Sequence, residues 1–172
     1  MFNVRTLGLA IAGALMAITA AHADQAQDMA AFQSFRLDDA FMAKYQAAEA
    51  DAAKDPCHLA PLGLLHGDSN KSLDQVAADY DKQPGVHAML ARHGLTARED
   101  ILGAMTLMVA GMETLQKQHP GMVQMSGTMP PIPPANLAYF QAHQADLQQH
   151  AMAIGKAQMA ANHGKLPACL AH

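Results

Sequence analysis

The sequence lacks the basic patches and the strand patterns that mark several common classes of protein. Lysine and arginine number only 11 against 15 aspartates and glutamates, so the formal net charge is −4, and they form no cluster. Because nucleic acids and anionic membrane surfaces attract basic patches, neither kind of partner is predicted. β-Branched residues are sparse, and no stretch alternates apolar and polar residues as a strand requires. These absences favour an all-α fold.

Familiar catalytic signatures are also missing. The chain contains no H-E-x-x-H, G-x-S-x-G or G-x-G-x-x-G motif and no phosphate-binding G-K-[ST] pattern. The segment HGDSN, which contains Ser69, is similar to the Gly-Asp-Ser of some secreted hydrolases. That serine follows a strand in an α/β sheet, whereas Ser69 lies between helical segments. We therefore interpret Ser69 as a loop residue and expect a protein that is not an enzyme, with hydrolysis through Ser69 as a third alternative.

Residues 1–23 have the pattern of a secretory signal peptide. Arg5 precedes a mostly apolar run, and the small residues Ala21 and Ala23 form an A-x-A cleavage site. The run is shorter than the roughly 20 residues that a transmembrane helix needs. The segment contains no twin arginine, which would indicate Tat export. It has no cysteine near the cleavage site, which would indicate a lipid anchor. We expect cleavage after Ala23 and a periplasmic or secreted single helical domain, residues 24–172, that has no membrane attachment.

Cys57 and Cys169 are the only cysteines. Export places them in a compartment where disulfides persist, so we predict that they form one. The bond would close a loop of about 110 residues, which in the chain-entropy model stabilises the fold by up to about 4 to 5 kcal/mol. We expect no free thiol in the mature protein and a lower thermal midpoint after reduction. The alternatives are two independent buried thiols or a thiolate ligand beside His58.

Apolar periodicity and capping residues predict the helices. The segment ILGAMTLMVAGMETLQ is apolar almost all round, so it predicts a central, buried helix. Together the segments predict a compact all-α bundle of about four main helices plus short ones. The predicted helices are a looser one after Asp24, one capped by Asp38, one from the Ser72–Gln75 capping box to about Lys82, a short one with Pro84 in its first turn and Gly94 as its stop, one from the Thr96–Glu99 capping box, and one from about Asn136 to about Gly164.

Two stretches, SLDQVAADYDKQPGVHAMLARHGLTAREDILGAMTLMVAG and PPANLAYFQAH, resemble small secreted helical proteins of proteobacteria that have no assigned function. The resemblance covers the C-terminal two-thirds of the mature chain. It implies the same helix order and an exported location, and it supplies no functional residues.

Thirteen methionines are present, and they fall into two contexts. Met105, Met108 and Met112 follow Ile101 and precede Leu115 at spacings of three and four, which predicts a stripe of core residues on a buried helix.

Met122, Met125 and Met129 instead follow His119 in the segment HPGMVQMSGTMPP, where glycine and proline prevent a long helix. Thioethers select Cu(I), so these residues are a candidate metal site in an exported protein. The alternative, which we prefer, is a loop held to the core by apolar side chains.

Ten histidines are the second unusual feature of the composition. His143 and His150 lie seven residues apart, beside a stripe formed by Phe140, Leu147, Ala151 and Ile154, so both could point into the bundle. A bundle interior with histidine and methionine is a possible site for non-covalent haem, with Met29 or a core methionine opposite. Covalent haem is excluded because C-x-x-C-H is absent. His93 is interpreted as a favourable charge at a helix C-terminus.

The sequence thus favours an exported, non-enzymatic helical domain without a cofactor, which binds an unknown protein or a small apolar ligand through its surface or groove. The alternative is a periplasmic copper or haem binder that uses the methionine loop or the histidines within the bundle.

Overall fold

The computed structural model describes residues 24–59, 71–119 and 130–165. Within these ranges the chain forms helices joined by turns and contains no strand, which confirms the all-α prediction. The signal sequence predicted at residues 1–23 lies outside the described residues. The helices are α1 (24–34), α2 (Asp39–Ala52), α3 (Pro56–Leu59), α4 (Leu73–Asp81), α5 (Val86–Arg92), α6 (Ala97–Gln118), α7 (Pro134–Ala142) and α8 (Gln144–Ala161).

Capping side chains set the starts of three helices, as the sequence predicted. Asp38 accepts a hydrogen bond from a backbone N–H in the first turn of α2 at 2.7 Å. Ser72 and Gln75 form a reciprocal capping box at α4, and Thr96 and Glu99 form another at α6. Each box satisfies N–H groups that a helix end otherwise leaves without partners.

Glycine residues set both ends of α5. Gly94 has a φ of 66° just after the helix, which confirms it as the stop. Gly85 has a φ of 88° immediately before the helix, in the left-handed region that favours glycine. Pro84 therefore lies outside the helix and not in its first turn, so that part of the prediction was wrong.

The last predicted helix is in fact two helices. Residue His143 has φ −107° and ψ 12°, and it separates α7 from α8. No glycine or proline occurs at this position, so local sequence does not explain the break. The two segments have different partners, because α7 packs against α6 whereas α8 packs against α2. We attribute the break to these separate packing requirements.

The core lies where α2, α4 and α5 pack around α6. Gly103 lets α2 approach α6 closely, because a Cβ atom there would collide with the ring of Phe41 and lie 3.4 Å from the ring of Tyr45. The buried apolar residues are Phe32, Leu37, Met42, Tyr45, Ala48, Ala52, Leu73, Ala77, Tyr80, Val86, Met89, Leu90, Leu95, Ala97, Ile101, Leu102, Val109, Ala110 and Ile132.

The stripe predicted on α6 is only partly buried. Ile101 is 2% exposed, and Met105 packs against the core. Met108 and Leu115, however, are 45% and 41% exposed. The prediction that the whole stripe belongs to the core was therefore wrong. Periodicity places these side chains on one face of the helix, but it does not say how far neighbouring helices cover that face.

One buried amide fixes α7 to the start of α2. Asn136 is fully buried, its side-chain NH2 donates to the carbonyl of Phe35, and its Oδ1 accepts from the N–H of Leu37, both at 2.9 Å. These two bonds join α7 to the linker between α1 and α2. They thereby place Phe140, one turn further along α7, beside α6, where it faces Gly111.

Candidate functional site

A groove of about 510 Å³ lies between α2, α6, α7 and α8. Its surface is mainly apolar, and amide side chains and one acidic residue supply polar groups. Cavities of this size that combine an apolar lining with a few polar groups are typical of small-molecule sites. The lining residues are Met42, Glu49, Leu107, Phe140, Gln144, Leu147, Gln148, His150, Ala151, Ile154, Gly155 and Gln158.

Helix α8 forms one wall of the groove and has an unusual degree of exposure. None of its residues is fully buried, although the helix has 18 residues. Leu147, Ala151 and Ile154, which the sequence placed on one face, do share the side that lines the groove. This side of α8 therefore borders an open cavity, although Leu147 also packs against the core. The helix consequently leaves its apolar side available to a ligand.

A carboxylate and an imidazole join α8 to α2 within this groove. His150 Nε2 lies 2.9 Å from Glu49 Oε2, and both side chains are partly buried. Burial raises the pKa of the Glu49 carboxyl, whereas the charge and hydrogen bond of His150 oppose that rise. Tyr45, one turn earlier on α2, also interacts with this carboxyl. Glu49 is thus held in position by a partner on each of two helices.

A second carboxyl lies deeper, behind Glu49. Asp100 is 4% exposed, and burial raises its pKa to about 7, with a further rise from the negative charge of Glu49. Interaction with the Tyr80 hydroxyl opposes part of this shift. The same hydroxyl donates to the carbonyl of Leu59 at 2.7 Å. The two carboxyls are therefore electrostatically linked, and both lie in surroundings that disfavour negative charge.

The structure places the two histidines suggested as cofactor-binding residues in different surroundings. His150 lines the groove, but His143 does not. The ring of His143 stacks on Tyr139 at 4.2 Å, its side chain is 39% exposed, and its Nε2 lies 4.0 Å from Asp39. His143 is at the break between α7 and α8, so the prediction that both histidines point into the bundle was wrong for this residue.

The other predicted histidine positions have simpler surroundings. His119 caps the C-terminus of α6 and is exposed. His93 ends α5, as predicted, and its Nε2 lies 2.8 Å from Asp51 of α2. Asp51 also pairs with Lys54 and Arg92, which together with His93 hold the pKa of its carboxyl well below the usual range. This cluster joins α2 to α5 at the surface.

Several predicted sites fall on parts of the chain that the structure does not describe. Ser69 and Cys169 lie outside the described residues, as do Met122, Met125 and Met129. Cys57 is exposed in α3 and is not a free thiol, and its bond to Cys169 stays a prediction. Among residues 24–59, 71–119 and 130–165, no three histidine, cysteine, aspartate or glutamate side chains are grouped closely enough to hold a metal ion.

Glu49 and Asp100 were missed by sequence reasoning. A weak signal was present for Asp100, because it directly precedes the apolar run that begins at Ile101. Its place in the first turn of a helix gave an ordinary explanation, since the helix dipole favours acidic residues there. Glu49 lies in an alanine-rich segment with charged neighbours, so the sequence did not distinguish it from a surface residue. Only the packing of α8 and α6 against α2 reveals that the two interact.

The groove combines an imidazole–carboxylate pair with an apolar wall. His150 and Glu49 form an imidazole–carboxylate pair, an arrangement that orients a general base in many enzymes. Among the described residues, no serine, threonine, cysteine or lysine lines the groove beside this pair. What the groove offers is an apolar wall for a hydrocarbon body and, at Glu49, a hydrogen-bond acceptor.

No helix among the described residues is long and apolar enough to cross a membrane. Comparison of the chain with models of known families, with curated proteins and with solved structures gave no match.

Proposed function

We propose that the protein is an exported, non-enzymatic binding domain that holds a small, largely apolar ligand in the groove between α2, α6, α7 and α8. The observation that carries this proposal is the wall formed by α8. Apolar side chains of this helix border an open cavity, and no residue of the helix is fully buried. Burying that apolar surface under a ligand is favourable by about 25 cal/mol per Å². The signal-like residues 1–23 and the resemblance to small secreted proteobacterial proteins support the exported location.

A neutral fluorescent probe tests the binding step. N-phenyl-1-naphthylamine brightens when it enters an apolar site, and we expect saturable binding to the wild-type protein. Ala151→Trp places a large side chain into the groove and should reduce the affinity at least tenfold. Ala153→Trp is the matched control, because Ala153 is also exposed on α8 but does not line the groove. Equal binding by both variants would show that the probe binds elsewhere.

Export is tested separately by the mass of the protein recovered from the periplasm. We expect a chain that begins at Asp24, immediately after the A-x-A site. A mature protein that retains residues 1–23 would contradict the proposed export. The proposal of ligand binding in the groove would still be decided by the probe assay.

Haem is a second candidate ligand, favoured by one specific observation. His150 and Met42 both line the groove, so a histidine and a methionine are available within one cavity. Against it, His150 Nε2 is already engaged by Glu49 at 2.9 Å, and an axial bond through that atom would require the pair to separate. Reconstitution with haemin is the test. A Soret band that is lost in both His150→Ala and Met42→Leu would favour haem over an organic ligand.

A further inference from the structure

The charges of the groove narrow the chemistry of its ligand. In the part of the chain that the structure describes, the lining residues include one carboxylate, Glu49, and neither lysine nor arginine. Asp100 lies behind Glu49 and interacts with it electrostatically. An anionic head group would therefore approach a carboxylate without a permanent cation to compensate, whereas a cationic head group would find an opposite charge.

Glu49 also has unused capacity as an acceptor. A carboxylate has about four lone-pair positions for hydrogen bonds. His150 occupies one position on Oε2, and Tyr45 interacts with the same carboxyl. A further N–H donor can bond to this carboxylate while His150 remains in place. Such a charge-assisted hydrogen bond is stronger than one between neutral groups.

The apolar lining is also compatible with a cation. Phe140 contributes an aromatic ring to the groove, and Met42 contributes a polarizable thioether. Ammonium groups are attracted to the faces of aromatic rings, and this attraction strengthens as water is excluded. The remaining lining provides a surface for a hydrocarbon body, and the three glutamine amides can bond to polar substituents on it.

We infer that the groove binds a lipophilic amine, a small molecule with an apolar body and a protonated amino group that pairs with Glu49. This inference rests on the proposed function and adds to it the charge and the polar group of the ligand. Neutral and anionic amphiphiles of the same length are the competing outcomes of the test.

Three ten-carbon probes distinguish these outcomes in calorimetric titrations below their aggregation limits. Decylamine, decanol and decanoate have the same chain but carry a positive, a neutral and a negative head group at pH 7. We expect decylamine to bind at least tenfold more tightly than decanol, and decanoate to bind most weakly. An amine that binds no more tightly than decanol, or decanoate as the tightest ligand, would overturn the inference. If none of the three probes binds, the proposed function itself fails.

A variant of the acceptor locates the preference. Glu49→Gln keeps a hydrogen-bonding side chain of similar size but removes the charge, so the advantage of decylamine over decanol should disappear while decanol still binds. Glu113→Gln is the matched control, because it removes an α6 carboxylate that pairs with Lys117 at 2.7 Å and does not line the groove. The amine preference should survive in that variant. A preference unchanged in Glu49→Gln would contradict the assignment of Glu49, and the wild-type ranking decides the inference even if that variant does not fold.

Discussion

Replacing Asp100 with asparagine tests whether a buried carboxyl makes the stability of this fold depend on pH. Asparagine has nearly the same shape as aspartate but does not ionise. In the folded protein, burial and the charge of Glu49 raise the pKa of Asp100 to about 7. In the unfolded chain an aspartate has a pKa of about 3.9. Between these two values the folded state holds a proton that the unfolded state has released.

The sign of the effect follows from this difference in bound protons. The stabilising contribution of the proton on Asp100 is fully present below the unfolded pKa of about 4. It is lost as the pH rises through the folded pKa of about 7. Each pH unit of separation corresponds to about 1.4 kcal/mol, so the full loss has a ceiling of about 4 kcal/mol. Asp100 lies in the first turn of α6, where the helix dipole favours an anion by about 0.3–1 kcal/mol. Burial therefore outweighs the dipole.

Urea unfolding followed by circular dichroism at pH 5, 6, 7 and 8 measures the effect. The free energy of unfolding of Asp100→Asn, minus that of the wild type, should increase by about 2–3 kcal/mol from pH 5 to pH 8. Asp79→Asn is the control, since the hydrogen bond and charge of Lys71 lower the pKa of that exposed carboxyl and place its titration below this range. Its difference from the wild type should stay constant. A constant or decreasing difference for Asp100→Asn would refute the argument that Asp100 is protonated in the fold.

Three further predictions concern packing. Gly103→Ala should lower the free energy of unfolding by about 1–3 kcal/mol, because the new Cβ meets the ring of Phe41. In the control Gly155→Ala the new Cβ meets nothing within 4 Å, so the free energy of unfolding, measured in thermal melts, should rise by up to about 1 kcal/mol. Asn136→Ala should cost roughly 2–4 kcal/mol in urea unfolding, since it leaves one N–H and one carbonyl buried without partners. If the methionine loop packs on the core, replacing Met122, Met125 and Met129 with leucine should leave the free energy of unfolding nearly unchanged, and the wild type should compete no better than this variant for Cu(I) against a chelator. Tight one-to-one copper binding by the wild type that the variant lacks would contradict the packing of the loop.

Local signals predicted the helix starts well because capping depends on residues close in sequence. The boxes at Ser72 and Thr96 were predicted from four-residue patterns and the stop at Gly94 from a single glycine, and all three are present in the structure. The break at His143 was not predictable in this way, because neither glycine nor proline marks it. It results from α7 and α8 having different packing partners, which is information that only the tertiary fold contains.

The candidate site was only partly accessible from sequence for the same reason. The stripe of Leu147, Ala151 and Ile154 was predicted correctly as one face, but periodicity does not distinguish a face that packs against a core from one that borders a cavity. Glu49 is separated from its partner His150 by about a hundred positions along the chain, and no local pattern connects them. The sequence suggested His143 and His150 on one helix as weak candidates for cofactor binding, whereas the groove contains His150 together with a carboxylate from a second helix.

The cost of burying Asp100 beside Glu49 supports the proposal that the groove is the functional site. A core formed only for stability would be better served by an apolar residue at position 100, because a buried carboxyl loses solvation and is further disfavoured by the charge of Glu49. Asp100 interacts with Glu49, and Glu49 lines the groove whose α8 wall has no fully buried residue. Asp100, which lowers the stability, and the uncovered apolar side of α8 are therefore both linked to the groove that Glu49 lines. Departures from local stability rules that converge in this way are expected where a site must meet a ligand. A cation bound at Glu49 would offset the repulsion between the two carboxylates, so ligand binding and the ionisation of Asp100 should favour each other.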